Sequence, residues 1–282
     1  MKLINQSFEI INQTDFSLEG IKKFIERCGR VCYKSEDRIT DDSYEKFVDM
    51  LESKHHDRPL EFGTVHLEMP ISKFQEWRDV LCISEMWNYQ WISYKYVEDI
   101  AYITTNYRYF LDILKVYPEV REYFTDNDNK YYPKRYTVHF ILSRGIMDEF
   151  RTHVGLSHLA ESTRYCNYSK GKFGEELTFI QPCWCYADNK KDYLGCVKFD
   201  NYCKVAEDTY LHLLKEGRTP QEAREVLPLS IKSELISCGF SDAWNNFFYR
   251  RCANDAHPMA REIAIGLKNK FDEMLNQSIK KV

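Results

Sequence analysis

Apolar side chains recur at helical spacing in the first part of the chain. Ser17 precedes the first run at a position that suits an N-cap, so we predict a helix from about residue 18. A second helix is predicted over residues 41–54, where the apolar residues again share one face. The first run consists of Leu18, Ile21, Phe24, Ile25 and Cys28, and the second of Tyr44, Phe47, Val48 and Leu51.

Alternating apolar and polar positions predict strands between the helices. Short strands are expected at SFEIIN (7–12), GTVHLEM (63–69) and LTFIQ (177–181). A longer, half-buried strand is indicated by the alternation of Tyr136, Val138, Phe140 and Leu142. It leads into a helix at GIMDEFRTH (145–153), whereas the polar, turn-rich segment 121–135 is expected to be a surface loop.

Further helices are predicted over residues 71–94, 197–216, 241–252 and 256–275. Strands and helices are mixed without a βαβ rhythm, and there is no internal repeat or low-complexity tract. We therefore predict an α+β fold, with a mainly antiparallel sheet flanked by helices, and a single domain over residues 1–282.

The tetrapeptide TPQE at 219–222 is a good helix start. Thr219 can cap the helix, Pro220 suits the first helical position, and Glu222 can complete a capping box. Pro228 is expected to end this short helix, so Arg224 should project from its middle.

Composition narrows the class of protein. The formal net charge of -4 does not favour binding to a nucleic acid polymer. The N-terminal residues lack an apolar signal region, and no apolar stretch is long enough to span a membrane, so we expect a cytoplasmic protein. The ten cysteines lack framework-like spacing and are expected to be reduced; Cys183 and Cys185 form a CxC pair without a second zinc-like pair, so no metal site is expected.

The polar run AESTRYCNYS at 160–169 is the strongest candidate for a binding site. In an extended segment Ser162 and Arg164 point to the same side. A hydroxyl beside a guanidinium suits a phosphate, because the guanidinium gives two charge-assisted hydrogen bonds. From composition alone, a surface loop with an Arg–Glu pair is an equally good interpretation.

Five segments resemble the flavin-dependent thymidylate synthases, and they occur in that family's order along most of the chain. They are VCYKSEDRIT (31–40), HHDRPLEFGTV (55–65), SHLAESTRYCNYSKGKFGEELTFIQP (157–182), AREVLPLSIKSEL (223–235) and GFSDAWNNFFYRRCANDAHPMAREIA (239–264). The resemblance implies a homotetramer with FAD sites built from several subunits. It also implies methylation of dUMP to dTMP, with 5,10-methylenetetrahydrofolate as the carbon donor, NADPH as the reductant and no cysteine nucleophile.

The resemblance assigns roles to individual residues. Ser162 and Arg164 would hold the dUMP phosphate, with Glu161 also at the substrate and Arg224 as a second phosphate-binding arginine. Arg251 matches the family arginine near the uracil carbonyls and, with Ser157, is the predicted catalytic group. Without the resemblance, Arg224 and Arg251 would be interpreted as exposed helix arginines.

The resemblance also implies flavin contacts in three segments. His56, Arg58 and Glu61 lie in the first, His153 in the signature, and Asn246 in the last. Alone, a histidine such as His56 is more often a capped or buried imidazole, and Asn246 is a generic helix residue.

The chain departs from the family pattern mainly on the flavin side. The family signature begins Arg-His-Arg, and the matching residues here are Thr152, His153 and Val154, with Arg151 one position too early. Leu159 and Ala160 replace an Asn-Glu pair, although Glu161 follows directly. Phe240 and Asp242 stand where the family often has polar or basic flavin contacts.

Three alternatives therefore stay open. In the first alternative, the chain is a relative that modifies C5 of another pyrimidine nucleotide. In the second, it is a non-catalytic nucleotide-binding protein. The third alternative is a cysteine-using thymidylate synthase, suggested by Pro182-Cys183, but Trp184 replaces the histidine that would follow the cysteine there.

Overall fold

The structure is a computed structural model that describes residues 1–80, 90–162, 176–185 and 193–280. The strands are β1 (Lys2–Ile4), β2 (Ser7–Ile10), β3 (Thr64–Pro70), β4 (Ile92–Val97), β5 (Ile100–Asn106), β6 (Phe124–Thr125), β7 (Arg135–Ser143), β8 (Ser157–Ala160), β9 (Thr178–Ile180) and β10 (Lys232–Phe240). The α-helices are α1 (Leu18–Tyr33), α2 (Ser43–Ser53), α3 (Ile71–Val80), α4 (Tyr107–Val116), α5 (Arg144–Phe150), α6 (Tyr193–Lys215), α7 (Pro220–Ala223), α8 (Ser241–Arg251) and α9 (Pro258–Lys280).

Two antiparallel sheets organise these elements, which confirms the predicted α+β class. The central sheet has the order β2-β7-β10-β8, and the second sheet has the order β4-β5-β3-β6. A separate parallel pair joins β1 to β9. Within the described ranges, no helix is long and apolar enough to cross a membrane.

The two faces of the central sheet pack against different helices. Val138, Phe140 and Leu142 of β7 contact α5, α8 and α9 through a cluster that includes Phe247. The opposite face presents Leu159, Ile236 and Cys238 to Phe24 and Cys28 of α1. Because side chains alternate along a strand, each strand of this sheet serves both layers.

Helix α1 packs between the two sheets. Ile21 and Ile25 join the core of the second sheet, which also contains residues of α2, α3 and α4. The helix begins as predicted, with Ser17 accepting a hydrogen bond from the backbone of Gly20. It ends at Tyr33, and the capping residue Lys34 has a left-handed φ of 51°.

Four strands run directly into helices without a loop: β3 into α3, β5 into α4, β7 into α5, and β10 into α8. Asn106 and Ser143 cap α4 and α5 with their side chains, whereas Phe240 precedes α8 without a side-chain cap. These joints fix the direction in which each helix leaves its sheet.

Several predictions need correction. The helix predicted over 71–94 is described only as α3, since residues 81–89 lie outside the described residues, and residues 92–94 belong to strand β4 instead. Ile92 and Tyr94 pair with β5 and pack against the core of the second sheet. Aromatic and β-branched residues favour strands, so the composition of this segment agrees with β4 and the predicted helix was wrong there. The short strand β6 interrupts the predicted loop 121–135, and α6 begins at Tyr193. The capping box at Thr219 and Glu222 is confirmed, but α7 ends at Ala223.

Phe247 is the aromatic centre of the core that supports α8. Its ring lies within 4.8 Å of Phe150 and 4.9 Å of His153, measured between ring centroids, and the side chain is 1% exposed. We expect Phe247→Ala to lower the free energy of unfolding by about 3–5 kcal/mol, because it leaves a cavity. Tyr249→Ala, on the same helix but 81% exposed, is the control and should change it by less than about 0.5 kcal/mol in urea unfolding. Equal effects of the two substitutions would contradict this packing.

Candidate functional site

Glu61 and Ser157 form the first contact between predicted site residues. Glu61 lies in a short 3-10 helix, Arg58–Phe62, and Ser157 begins β8. The Ser157 hydroxyl donates to Glu61 Oε2 at 2.6 Å, and Glu61 is 1% exposed. Arg108 Nη1 donates to Glu61 Oε1 at 2.6 Å, and Arg58 Nη1 donates to Oε2 at 3.3 Å. A buried carboxylate is thus held by a hydroxyl and two guanidinium groups.

Arg135 fixes the backbone of the same turn. Its guanidinium donates to the carbonyl oxygens of Glu61 at 2.7 Å and Gly63 at 3.2 Å, and to Thr64 Oγ1 at 3.1 Å. Arg135 is 8% exposed. A side chain at Gly63 would place its Cβ 2.8 Å from Ile25, so the close approach of this turn to α1 requires glycine.

Arg251 and His153 form the second contact between predicted site residues. Arg251 Nε donates to His153 Nε2 at 2.7 Å, so the imidazole is neutral and carries its proton on Nδ1. Burial and the charge of Arg251 lower the pKa of His153 to about 4. Arg251 also donates to Glu149 Oε2 and to the Glu149 carbonyl, both at 2.7 Å. This guanidinium is therefore fixed in position by α5 and the segment that follows it.

Strand β8 links the two groups. Ser157 points to Glu61, while the next residue, His158, donates from Nε2 to the carbonyl of His153 at 3.2 Å. His158 Nδ1 accepts from Ser237 of β10, and burial lowers the pKa of His158 to about 4. Residues predicted from separate motifs thus meet at one end of the central sheet.

Glu161 has a different environment from the one expected for a substrate contact. It is 1% exposed, and its Oε2 lies 3.0 Å from Lys232 Nζ and 3.7 Å from Lys34 Nζ. Both lysines also contact Glu234, which accepts from His139 Nε2 at 2.9 Å. Burial alone would lower the pKa of Lys34, but the charges of Glu161 and Glu234 raise it above its usual value. The carboxylate of Glu161 therefore anchors the chain just before Ser162.

The phosphate-binding residues are only partly described. Ser162 is half-buried and directly follows Glu161, whereas Arg164 lies outside the described residues. Arg224 begins the short 3-10 helix Arg224–Val226 after α7, and its Nε lies 3.6 Å from Glu225 Oε1. Its assignment to phosphate stays a prediction.

The other two predicted flavin contacts are exposed. His56 Nδ1 lies 3.1 Å from the hydroxyl of Tyr33, and Asn246 accepts from Arg250 Nε at 3.4 Å. In the segment that differs from the Arg-His-Arg signature, Val154 is 69% exposed, and the neighbouring Arg151 pairs with Asp148 at 3.2 Å. Arg151 is thus directed to its own helix.

An open cleft of about 770 Å³ lies beside Glu149. Its walls are mostly apolar and include Ile146, Pro182, Trp184 and Met259. Cys183 also lines it, and burial raises the pKa of the Cys183 thiol. A cleft of this size with few polar groups suits a small organic molecule.

Sequence reasoning missed several residues of this region: Arg108, Arg135, Glu149, Lys34 and Lys232. Arg108 and Arg135 lie outside the quoted motifs, and a lone arginine carries no local signal. Glu149 precedes the signature on α5, so its helical spacing from His153 was the one available clue. Lys34 and Lys232 lie within quoted motifs, but only the fold shows which carboxylates they contact.

Comparison with known proteins identifies the family. The profile of the Thy1 family, described as thymidylate synthase complementing protein, matches residues 134–275, which is half of the chain. The chain belongs to the Thy1 family. These are the flavin-dependent thymidylate synthases, so the resemblance in the motifs is confirmed. A comparison with curated protein sequences finds no match.

Solved structures similar to this Thy1 chain include the UMP/dUMP methylase PolB from Streptomyces cacaoi. The complex with 5-Br dUMP has a TM-score of 0.45 and 15% identity, and the alignment covers 97% of this chain and 93% of PolB. The complex with 5-Br UMP has the same TM-score, 13% identity, and coverage of 97% and 92%. These values are too low to transfer a substrate or a mechanism.

Two buried histidines, His66 and His153, and the half-buried His158 make stability depend on pH. Burial lowers the pKa of His66, His153 and His158 to about 4, whereas an unfolded chain binds these protons near pH 6.5. The unfolded state therefore binds more protons between these values, so the free energy of unfolding should fall as pH falls from about 6.5 to about 4. At pH 5 each of these histidines should lower the free energy of unfolding by roughly 2 kcal/mol relative to its value at pH well above 6.5.

Urea unfolding at pH 7 and pH 5 measures this loss. His66 is stacked between Phe16 and Tyr132, so His66→Phe should keep the stacking and make the loss smaller. His212→Gln, at an exposed position, should leave the full loss in place. A free energy of unfolding that is equal at both pH values would contradict the buried, neutral state of these imidazoles.

Proposed function

We propose that this protein is a flavin-dependent thymidylate synthase, which methylates dUMP reductively to dTMP. Membership of the Thy1 family supports a pyrimidine-nucleotide methylase. The observation that carries the finer proposal is the pair of contacts Ser157–Glu61 and Arg251–His153, because each joins residues that the motifs assign to one site across about a hundred positions of sequence. The co-substrates are 5,10-methylenetetrahydrofolate and NADPH, and the working unit is a homotetramer.

The residues present fit FAD as the cofactor. His56 and Arg58 are exposed on the turn that leads to buried Glu61, and His153 offers a neutral imidazole beside Arg251. With Asn246, these residues would hold the flavin, which supplies hydride when it is bound.

Arg251 is the proposed electrostatic catalyst. Its hydrogen bonds to His153 and Glu149 fix the guanidinium before substrate arrives, so no reorganisation is needed when negative charge develops on the pyrimidine carbonyls. His153 stays neutral at physiological pH and accepts from Arg251, so it positions the cation without competing for the charge. Ser162, Arg164 and Arg224 would bind the phosphate of dUMP.

The reaction needs no cysteine nucleophile, and Cys183 is poorly suited to be one. A nucleophilic cysteine needs a lowered pKa, whereas burial raises the pKa of this thiol. The cysteine-using alternative therefore has no support at this position.

A second candidate is a related enzyme that modifies C5 of another pyrimidine nucleotide. Thr152 and Val154 in the signature favour it, because they change the flavin side of the site. A non-catalytic nucleotide-binding homologue would keep dUMP binding without turnover.

Turnover with a nucleotide panel tests these functions. Purified protein, supplied with FAD, NADPH and methylenetetrahydrofolate, should convert dUMP to a product heavier by one CH2, and the reaction should stop when FAD is omitted. A hydroxymethyl product or a preference for another pyrimidine nucleotide would support the second candidate. Protein that binds dUMP but neither takes up FAD nor turns over would contradict both.

Substitution of Arg251 tests its electrostatic role. We expect Arg251→Gln to lower kcat by about 100- to 1,000-fold, the usual cost of one donor that stabilises developing charge. Cys183→Ser is the matched control and should leave turnover nearly intact. An inactive Cys183→Ser enzyme that still binds dUMP, together with an active Arg251→Gln enzyme, would overturn the assignment.

A further inference from the structure

The surroundings of Glu61 contain more positive than negative charge. Arg58 and Arg108 contact its carboxylate, and Arg135 contacts its carbonyl. A second acid, Asp57, has its Oδ2 3.9 Å from Arg108 Nη2. Among the described residues, three guanidinium groups therefore face two carboxylates. We call Arg58, Arg108 and Arg135 around Glu61 the arginine cluster.

Two members of the arginine cluster have N–H donors that no contact within the described ranges uses. The side chain of Arg108 is 38% exposed and that of Arg58 is 62% exposed. Arg108 donates one Nη1 hydrogen to Glu61, and its Nη2 is too far from Asp57 for a hydrogen bond. Each guanidinium is thus anchored from behind by a buried carboxylate and presents other N–H groups outward. A guanidinium held in this way suits the oxygens of a phosphate or diphosphate.

An open cleft of about 480 Å³ begins at Arg108. Leu60, Leu111 and Leu114 give it an apolar surface, and Arg121 also lines it. Lys115 pairs with Asp112 in the same cleft at 2.7 Å. The combination of an apolar surface and a neighbouring pair of anchored arginines suits a nucleoside attached to a diphosphate.

The arginine cluster also lies beside the segment 152–154, which differs from the Arg-His-Arg signature of the family. Arg58 is close enough to His158 for its charge to lower the pKa of that histidine. In the preceding loop, Thr152 and Val154 carry no charge, and Val154 is exposed. The cations on this side of β8 thus include Arg58 and Arg108, which precede the matched range 134–275 in the sequence.

We propose that Arg58 and Arg108, anchored on Glu61, bind the diphosphate of the flavin dinucleotide, with the adenosine in the adjoining cleft. This inference rests on the proposed function; it adds Arg108 to the residues that recognise the cofactor and gives Arg58 a specific partner, the diphosphate. Arg108 lies in the first turn of α4, outside the range that the family profile matches. Flavins without a diphosphate should gain nothing from these arginines.

The test compares the affinities of the whole protein for FAD, riboflavin and NADPH by flavin fluorescence quenching and calorimetry. We expect Arg108→Gln to weaken FAD binding by about 10- to 100-fold and riboflavin binding by less than about 3-fold, because a charged hydrogen bond to phosphate is lost only with FAD. Arg108→Lys keeps the charge but cannot donate two parallel hydrogen bonds, so its affinity for FAD should lie between those of the native protein and Arg108→Gln. Arg218→Gln, which makes the same charge change at an exposed position beside Glu222, should bind FAD like the native protein.

Each other outcome overturns the inference. Equal weakening of FAD and riboflavin means that Arg108 only supports Glu61, and weakening of NADPH alone excludes the flavin assignment. Native FAD affinity in Arg108→Gln overturns the inference while leaving the proposed function intact. Absence of FAD binding in the native protein overturns both. Should Arg108→Gln fail to fold, Arg58→Gln, whose side chain is mostly exposed, must show the same selective loss of FAD binding.

Discussion

The buried carboxylate of Glu61 joins segments that lie far apart in the chain. It accepts the Ser157 hydroxyl from the edge strand of the central sheet and a guanidinium from α4 of the second sheet. An ionised carboxylate that is 1% exposed is stable only with such partners, because desolvation of an unpaired charge costs several kcal/mol. The position of the signature relative to the turn at Arg58–Phe62 therefore depends on the hydrogen bonds and ion pairs of the Glu61 carboxylate.

A second buried ionic group controls the other end of the signature. Glu161 and Glu234 share Lys34 and Lys232, and this arrangement connects the end of α1 with β8 and β10. Helix α1 also fills the space between the two sheets with apolar side chains. The strand that carries Ser157 and His158 is thus held at both ends by charge and along its length by packing, which keeps the polar groups in register.

Local signals were sufficient for much of the fold. Ser17 and Thr219 cap helices as their sequence context predicted, and the alternation from Tyr136 to Leu142 lies within β7. The site was predictable only where its residues lie in motifs. Arg108 could not be assigned, because its contact with Glu61 depends on how the second sheet packs, and no local pattern encodes that. Glu161 was expected at the substrate, but the side on which its carboxylate is buried is set by Lys34 and Lys232, which lie far away in sequence.

The direct joint between β10 and α8 has a consequence for variation in this family. One residue inserted between Phe240 and Ser241 would turn α8 by about 100° relative to the sheet, because a helix has 3.6 residues per turn. Both elements would keep their own backbone hydrogen bonds, yet Arg251 would leave His153 and Phe247 would leave the core. Length changes should therefore accumulate in the connections between such strand–helix units, while each unit keeps a fixed length.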